Sequence, residues 1–329
     1  MINNKTILIT GGTGSFGKAF SRYLLENYEP KKVIIFSRDE YKQWQMKNEF
    51  SEYTDKMRYF IGDVRDKERL SRAFHNVDYV VHAAAMKQVP ACEYNPFEAV
   101  KTNVHGAQNV IDAAIDMGIQ KVVALSTDKA VNPINLYGGT KLVSDKLFIS
   151  ANAYAGSSNT CFSIVRYGNV SGSRGSIIPY FRSLIETGGG ILPITDCRMT
   201  RFWITLEEGV QLVLKALSES IGGETYIAKL PSFKVTDLAK AICPCCKFEE
   251  IGIREGEKLH EVMITKEDSF STYEFDQHYI IFPHMDWCNI QKYNLQNSKK
   301  VEDGFEYSSG TNTQWLDIEE LKRRLDFIQ

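Results

Sequence analysis

The chain predicts an α/β fold, a doubly wound parallel sheet with a smaller α/β substrate lobe, on three observations. Short apolar runs alternate with stretches of helical apolar spacing from the N-terminus onward. The first run ends in a glycine-rich turn that opens a helix, and later runs end in small or polar residues suited to a crevice at the carboxyl ends of parallel strands. A length of 329 residues allows a sizeable core, in one large domain or two. Residues 1–168, with a returning segment at about 200–228, are expected to form the sheet, and residues 169–199 and 229–329 the lobe.

Lys5–Thr10 reads as the first strand, followed by Gly11-Gly12-Thr13-Gly14-Ser15-Phe16-Gly17 and then Ala19, Phe20, Tyr23, Leu24 and Leu25 at helical spacing. In that setting Gly11 allows the tight turn, Gly14 lets backbone approach a pyrophosphate at the helix N-terminus, and Gly17 lets helix pack on strand. A dinucleotide is therefore expected. The second strand, Val33–Phe36, ends at Ser37-Arg38-Asp39, about twenty residues beyond Gly17, where the ribose-reading residue belongs. A hydroxyl on Ser37 and a guanidinium on Arg38 suit a 2′-phosphate, so NADP is expected over NAD; Lys42 adds charge there or is simply solvated.

Strands at Arg58–Ile61 and Val77–Val81 end in Gly62-Asp63-Val64 and His82-Ala83-Ala84-Ala85. Asp63 and Val64 are expected to border the adenine, with a helix cap as the plainer role of Asp63, and the small Ala83, Ala84 and Ala85 to let the cofactor lie close. A helix at about 96–117 carrying Asn103, a strand at Lys121–Ser126, a helix from near Tyr137 through Phe148, and a strand at Cys161–Tyr167 ending in Gly168-Asn169-Val170 continue the alternation. Val210, Leu212, Val213, Leu214, Ala216 and Leu217 form an apolar helix expected in the core. The aromatic stretch at about 270–307 matches no motif and is expected to form lobe surface and a lid.

Composition narrows the function classes. With 43% hydrophobic residues and a net charge of −2, nothing invites nucleic acid. No run of about 18 apolar residues occurs and no signal-peptide core follows Met1-Ile2-Asn3-Asn4, so no membrane span is expected and the cytoplasm is the expected location. Seven cysteines without a secretory signal read as reduced thiols. Cys243-Pro244-Cys245-Cys246 contains a C-x-x-C spacing that could join His260, His284 or Cys288 around zinc, but a second close pair is lacking and no metal is expected.

The chemistry is concentrated in Thr127-Asp128-Lys129 and Tyr137-Gly138-Gly139-Thr140-Lys141. Tyr137 and Lys141 lie four apart on one helix face, so the ammonium can lower the phenol's pKa and make it a base, the equipment of a sugar or alcohol oxidoreductase. Asp128 and Lys129 add an acid and a second base at a strand end, which suggests proton removal and loss of a hydroxyl besides hydride transfer. Lys129 would need to be neutral, through desolvation or a cation such as Lys141, and Asp128 protonated through burial.

The strings T-G-G-T-G-S-F-G, Y-x-x-x-K and R-Y-G-N-V resemble the extended short-chain dehydrogenase/reductase superfamily. F-S-R-D-E, H-A-A-A-M-K-Q-V-P, S-T-D-K-A-V-N-P, M-T-R-F-W-I-T and R-E-G-E-K-L-H-E are similar to the inverting UDP-N-acetylglucosamine 4,6-dehydratases of the pseudaminic acid pathway type, over about residues 5–265. Retaining dehydratases resemble Thr-Asp-Glu where this chain has Thr-Asp-Lys. The resemblance implies Tyr137 as base at the 4-hydroxyl, Lys129 as base at C5, Asp128 as acid at the 6-hydroxyl, hydride return to C6 and inversion at C5. Thr127 looks like the hydroxyl that orients the tyrosine, with a strand-end cap as its plainer role. Asn169 matches a position near the substrate, Lys87 lies where the sugar enters, and Arg254 and Arg201 look like diphosphate-binding arginines, a residue type more often merely a surface charge. UDP-N-acetylglucosamine is the implied substrate, and a homo-oligomer, dimer or hexamer, pairing through helices at about 96–117 and 136–154, the implied assembly. Two other readings stay open: a UDP-sugar epimerase or a dehydratase that also epimerises at C5 and C3, and a non-catalytic NADP sensor. Gly139 departs from the usual alanine of Y-G-A-T-K, at some cost in helix propensity.

Overall fold

The computed structural model describes residues 1–172, 177–188 and 190–327. Its centre is a ten-stranded sheet. The strands β1 (Thr6–Thr10), β2 (Lys32–Ser37), β3 (Met57–Ile61), β4 (Tyr79–His82), β5 (Lys121–Thr127) and β6 (Cys161–Tyr167) lie in the order 3-2-1-4-5-6, all parallel. This is the expected doubly wound arrangement, and the order reverses beside β1, where such sheets bind ligands. Every residue of β1 is buried because helices cover both faces, which is why the strand reads as a continuous run of Thr, Ile and Leu rather than an alternation.

One face is sealed by the helix Ser15–Asn27 through Phe20 and Leu24, together with Leu206–Glu219 through Val210, Val213 and Leu217. The other is sealed by Val110, Ile111, Phe148 and Ala151 from the helices Gly106–Asp116 and Leu136–Tyr154. The helix expected at 96–117 is present with an irregularity, a π-helical turn at Lys101–His105 between Pro96–Val100 and Gly106–Asp116. That turn carries Asn103, which donates to the Met86 carbonyl (2.9 Å) and to the Thr140 hydroxyl (3.0 Å), tying the loop after β4 to the helix of Tyr137.

Beyond β6 the sheet continues with Thr225–Ala228, parallel, and then with His278–Ile281, Thr272–Glu274 and Lys299–Lys300, antiparallel. This corrects the expectation that 270–307 forms lobe surface and a lid, and that all of 229–329 belongs to the lobe. Strand Thr225–Ala228 leaves an open edge, and Tyr279, Ile280, Phe282 and Tyr293 cover it by joining the main core. The lobe proper packs Trp203, Phe233, Leu238 and Leu321 in one cluster and Phe181, Leu192, Ile194 and Met199 in another. The reading of all seven cysteines as thiols is also corrected. The turn between the helix Val235–Ile242 and the strand Lys247–Glu250 brings the Cα atoms of Cys243 and Cys246 to 5.4 Å, within reach of the disulfide that joins them. Among the described residues no helix is long and apolar enough to cross a membrane.

Candidate active site

A cleft of about 1330 Å³ opens along the carboxyl ends of the strands, between the sheet and the lobe. Its cofactor end is lined by Gly11, Thr13, Gly14, Ser15, Phe16 and Gly17 of the first turn, by Ser37, Arg38 and Lys42 after β2, by Asp63 and Val64 after β3, and by Ala83, Ala84 and Ala85 after β4. Gly11 has φ +67°, and a Cβ there would lie 2.9 Å from the Ala84 backbone, so the turn closes against β4 only with glycine. Gly14 caps the helix Ser15–Asn27 without a side-chain bond, which leaves the first helical amides directed at the cleft for an anion. These features fit a dinucleotide.

The ribose end is more crowded than the sequence implies. The Ser37 hydroxyl accepts from Gln43 Nε2 (3.1 Å), Lys42 pairs with Asp39 (2.9 Å), and exposed Arg38 lies 3.6 Å from Asp63. Asp63 is no helix cap: it pairs with Arg65 at 2.7 Å and accepts the Arg65 amide at 3.0 Å, while the following helix Lys67–Ala73 is capped by Asp66.

The chemical end gathers Thr127, Lys129, Tyr137, Lys141, Lys87, Asn169, Arg201 and Arg254 on the same wall. Tyr137, Lys141 and Asp145 recur every fourth residue along the helix Leu136–Tyr154 and are all buried. Burial pushes the Tyr137 phenol up to about 12, opposed by the charge of Lys129 and by a hydrogen bond from Thr127. Lys141 is itself held below its ordinary value by burial, with Asp145 opposing. Asp145 in turn accepts from Ser126 Oγ at 2.5 Å and lies 3.8 Å from Arg166.

Asp128 alone of the expected site residues does not line the cleft; only 1% exposed, it sits behind Lys129 and Thr127, which touch its Oδ1 at 3.0 and 2.8 Å. Lys129 Nζ further donates to Asn169 Oδ1 (3.1 Å) and lies 3.4 Å from Glu261 Oε1. Burial opposes its charge, but the Asp128 and Glu261 carboxylates hold its pKa above the ordinary lysine range. The expectation of a lysine made neutral by desolvation or by Lys141 is therefore corrected: the resting side chain is an ammonium. Arg201 spends its guanidinium on the Thr200 and Leu259 carbonyls (2.7 and 3.2 Å) and faces Glu261 at 3.7 Å, whereas Arg254 is exposed on the loop held to the Tyr137 helix by Asn135, whose Nδ2 donates to the Gly256 carbonyl (2.8 Å).

A family model described as polysaccharide biosynthesis protein matches residues 7–283. The chain belongs to that family. Among its relatives is an inverting UDP-N-acetylglucosamine 4,6-dehydratase of Campylobacter jejuni, 57% identical, the match covering all of this chain and 98% of the relative. A UDP-glucose 4-epimerase of Rickettsia akari is 42% identical over all of this chain and 98% of its own. The X-ray structure of Pen from Bacillus thuringiensis superimposes with a TM-score of 0.91 at 40% identity, covering 99% of this chain and 98% of that one.

For this member of the polysaccharide biosynthesis family, three site residues escaped sequence reasoning. Glu261 ends the R-E-G-E-K-L-H-E string, which marks the segment but not this side chain's place beside Lys129, and Asp145 carries only the four-residue repeat that aligns it with Lys141. Gly168 follows β6 on the cleft wall, and a Cβ there would come within 3.1 Å of Asp128 Oδ2. Glycine at 168 is the cleft-wall residue that lets the chain lie this close to that carboxylate.

Proposed function

We propose that the chain is an NADP-dependent UDP-N-acetylglucosamine 4,6-dehydratase that inverts C5, giving a UDP-2-acetamido-2,6-dideoxy-L-arabino-hex-4-ulose for pseudaminic acid or related surface-glycan synthesis. The observation that carries this reading is Lys129 on the wall of the cleft that holds Tyr137 and Lys141, hydrogen-bonded to Asp128 directly behind it. The inverting dehydratase relative, matched over the full chain, supports the substrate and the stereochemistry.

When bound by the Gly11–Gly17 turn and by Arg38, NADP supplies the hydride acceptor for C4 and the donor for C6. Tyr137 takes the proton of the 4-hydroxyl, and the resulting ketone acidifies H5. Lys129 takes H5 and Asp128, past Gly168, protonates the departing 6-hydroxyl. The resting ammonium–carboxylate pair and the reactive amine–acid pair hold the same number of protons and differ by one transfer across a 3.0 Å bond. Thus the ion pair is a store of the needed acid and base. Asn169 and Thr127 orient the sugar, Lys87 flanks its entrance, and exposed Arg254 binds the diphosphate, with Arg201 a second cation beside Lys129.

A homo-oligomer in the cytoplasm completes the proposal, since Phe97, Val143 and Tyr154 expose apolar surface on the helices implicated in pairing. The Rickettsia akari relative favours a second reading, a UDP-sugar epimerase, which has no use for an acid and base at Asp128 and Lys129. Proton NMR with UDP-N-acetylglucosamine and catalytic NADP in deuterated water separates the two. A 6-deoxy-4-keto sugar with deuterium at an inverted C5 is expected; a change at C4 alone would replace the dehydratase by the epimerase.

A further inference from the structure

Glu261 ends the R-E-G-E-K-L-H-E string without a role assigned above, yet it reaches the centre of the site. Its backbone is pinned on both sides by Ser309, whose Oγ accepts the Glu261 amide at 2.9 Å and whose amide donates to the Glu261 carbonyl at 2.8 Å. The side chain is only 2% exposed and forms part of the cleft wall. Oε1 lies 3.4 Å from Lys129 Nζ and 3.7 Å from Arg201 Nε. Oε2 is fully buried and makes no hydrogen bond to a described protein group. Among the described residues, the ion pairs of this carboxylate are with those two cations.

We infer that Glu261 is a positioning residue: it holds the Lys129 side chain against Asp128 and keeps the proton that this pair shares. This rests on the dehydratase reading of the site. In the elimination the C5–H bond breaks, its proton passes to Lys129 Nζ, and its electrons form the C5–C6 double bond. The C6–O bond breaks and the leaving oxygen takes the proton of Asp128, so that water departs. The pair begins and ends with one proton, first on Asp128 and then on Lys129, and Glu261 keeps its charge throughout. The proton taken by Lys129 exchanges with solvent, a solvent-derived proton reaches C5 on the opposite face as hydride returns to C6, and the proton that Tyr137 took from the 4-hydroxyl replaces the one that Asp128 spent. A pair stripped of its shared proton has no acid for the 6-hydroxyl.

What holds that proton is the balance of charge around Lys129. Asp128 lies beside it on its own segment, Glu261 faces it from the lobe, and Tyr137 and Asn169 approach from the long helix and the end of β6. Against these stand Arg201, Lys258 and Lys87, each electrostatically coupled to Lys129. Three neighbouring cations oppose two carboxylates, so removal of the Glu261 charge tips the balance toward an amine. The removal also frees a long side chain to leave Asp128.

The test is the Glu261→Gln variant, read by the 15N titration of the Lys129 amine in the sugar-free protein and by the pH profile of product formation. The Lys129 midpoint is expected to fall by about one to three pH units, as for loss of one close opposite charge. The alkaline limb of kcat/KM should move down with it, while reduction of NADP at C4 proceeds as before. Glu261→Asp, which keeps the charge, should restore most of both. A midpoint and alkaline limb left in place, with only KM or thermal stability changed, would overturn the inference and leave Glu261 an anchor for Arg201. Should Glu261→Gln fail to fold, Glu261→Asp decides: a midpoint lowered by a fraction of that shift, from the longer gap to Lys129, supports the inference, and one left where it stands in the unaltered chain overturns it. The amine titration needs no sugar, so a chain that dehydrates nothing refutes the dehydratase and leaves this measurement standing.

Discussion

Replacing Lys129 by alanine separates the chemistry of the site from its stability. The ammonium lies 3.0 Å from Asp128 and 3.4 Å from Glu261, and both carboxylates are almost wholly buried. At an effective dielectric of ~20 each contact is worth about 5 kcal/mol before desolvation is counted. Loss of one partner from a buried pair has a net cost of about 3–5 kcal/mol, because the carboxylates left behind have no counter-charge. Lys129→Ala should therefore unfold at clearly lower denaturant, and Asp128→Asn added to it should recover part of the loss. The sign with pH follows from Lys129, whose pKa the two carboxylates raise: its contribution is fully present below the ordinary lysine value of 10.5 and is lost as the pH rises through the raised value, so the deficit of the variant is complete at neutral pH and shrinks in strong alkali. In the reaction, oxidation at C4 survives because Tyr137 is intact, so reduced NADP accumulates while formation of the 6-deoxy sugar falls by about 10²–10⁴, the usual worth of one positioned base. Denaturation by urea at two pH values and single-turnover absorbance of the reduced cofactor measure the two effects. Normal dehydration by Lys129→Ala, or unchanged stability, would refute the electrostatic account of the pair.

Other substitutions probe the rest of the cleft. Tyr137→Phe removes the base at the 4-hydroxyl and should lower cofactor reduction and product formation together by about 10²–10⁴ with sugar binding kept, as measured by stopped flow and calorimetry. Gly168→Ala places a methyl group over Asp128 Oδ2 and should slow elimination while leaving C4 oxidation intact; equal rates of both steps would show that Asp128 does not act through that opening. Arg38→Ala should weaken NADP by about 10–100-fold, the value of a charge-assisted bond, and leave NAD affinity unchanged in a titration. Gly139→Ala meets nothing within 4 Å on a helix and should stabilise the chain by about 1 kcal/mol in thermal denaturation, whereas Gly138→Ala would drive a Cβ to 2.0 Å from the Lys129 carbonyl oxygen and disrupt the site.

The parts of this structure that were legible in the sequence are those where local pattern and final environment coincide. Strands buried on both faces must be apolar throughout, so Thr6–Thr10 and Lys32–Ser37 announce themselves, and the turn from Gly11 to Gly17 needs a backbone that few other residues adopt. Tyr137 and Lys141 were legible for the same reason, since their relation is one turn of one helix. The strands at 272–300 were not. Their pairing with Thr225–Ala228 joins distant segments, and an aromatic stretch suits a sheet edge as well as a lid.

The charge state of Lys129 was hidden for a deeper reason. Sequence places Asp128 beside it but does not bring to the same amine Glu261, which arrives from the lobe on the turn before Val262–Ile264, or Arg201, which arrives from the antiparallel pair Thr200–Phe202 and Ser232–Lys234. Reasoning from Asp128 and Lys141 alone makes a neutral lysine the natural requirement for a base. The folded cluster supplies two carboxylates and so an ammonium, and the contradiction dissolves once the pair is counted as one site holding one proton. The base need not exist at rest. It arises when the proton crosses 3.0 Å to Asp128, and the same crossing creates the acid that the 6-hydroxyl requires. Acid and base are then produced together and in equal number, so a chain that keeps both carboxylates but loses the hydrogen bond between Asp128 and Lys129 should fail at elimination even with every titratable group in place.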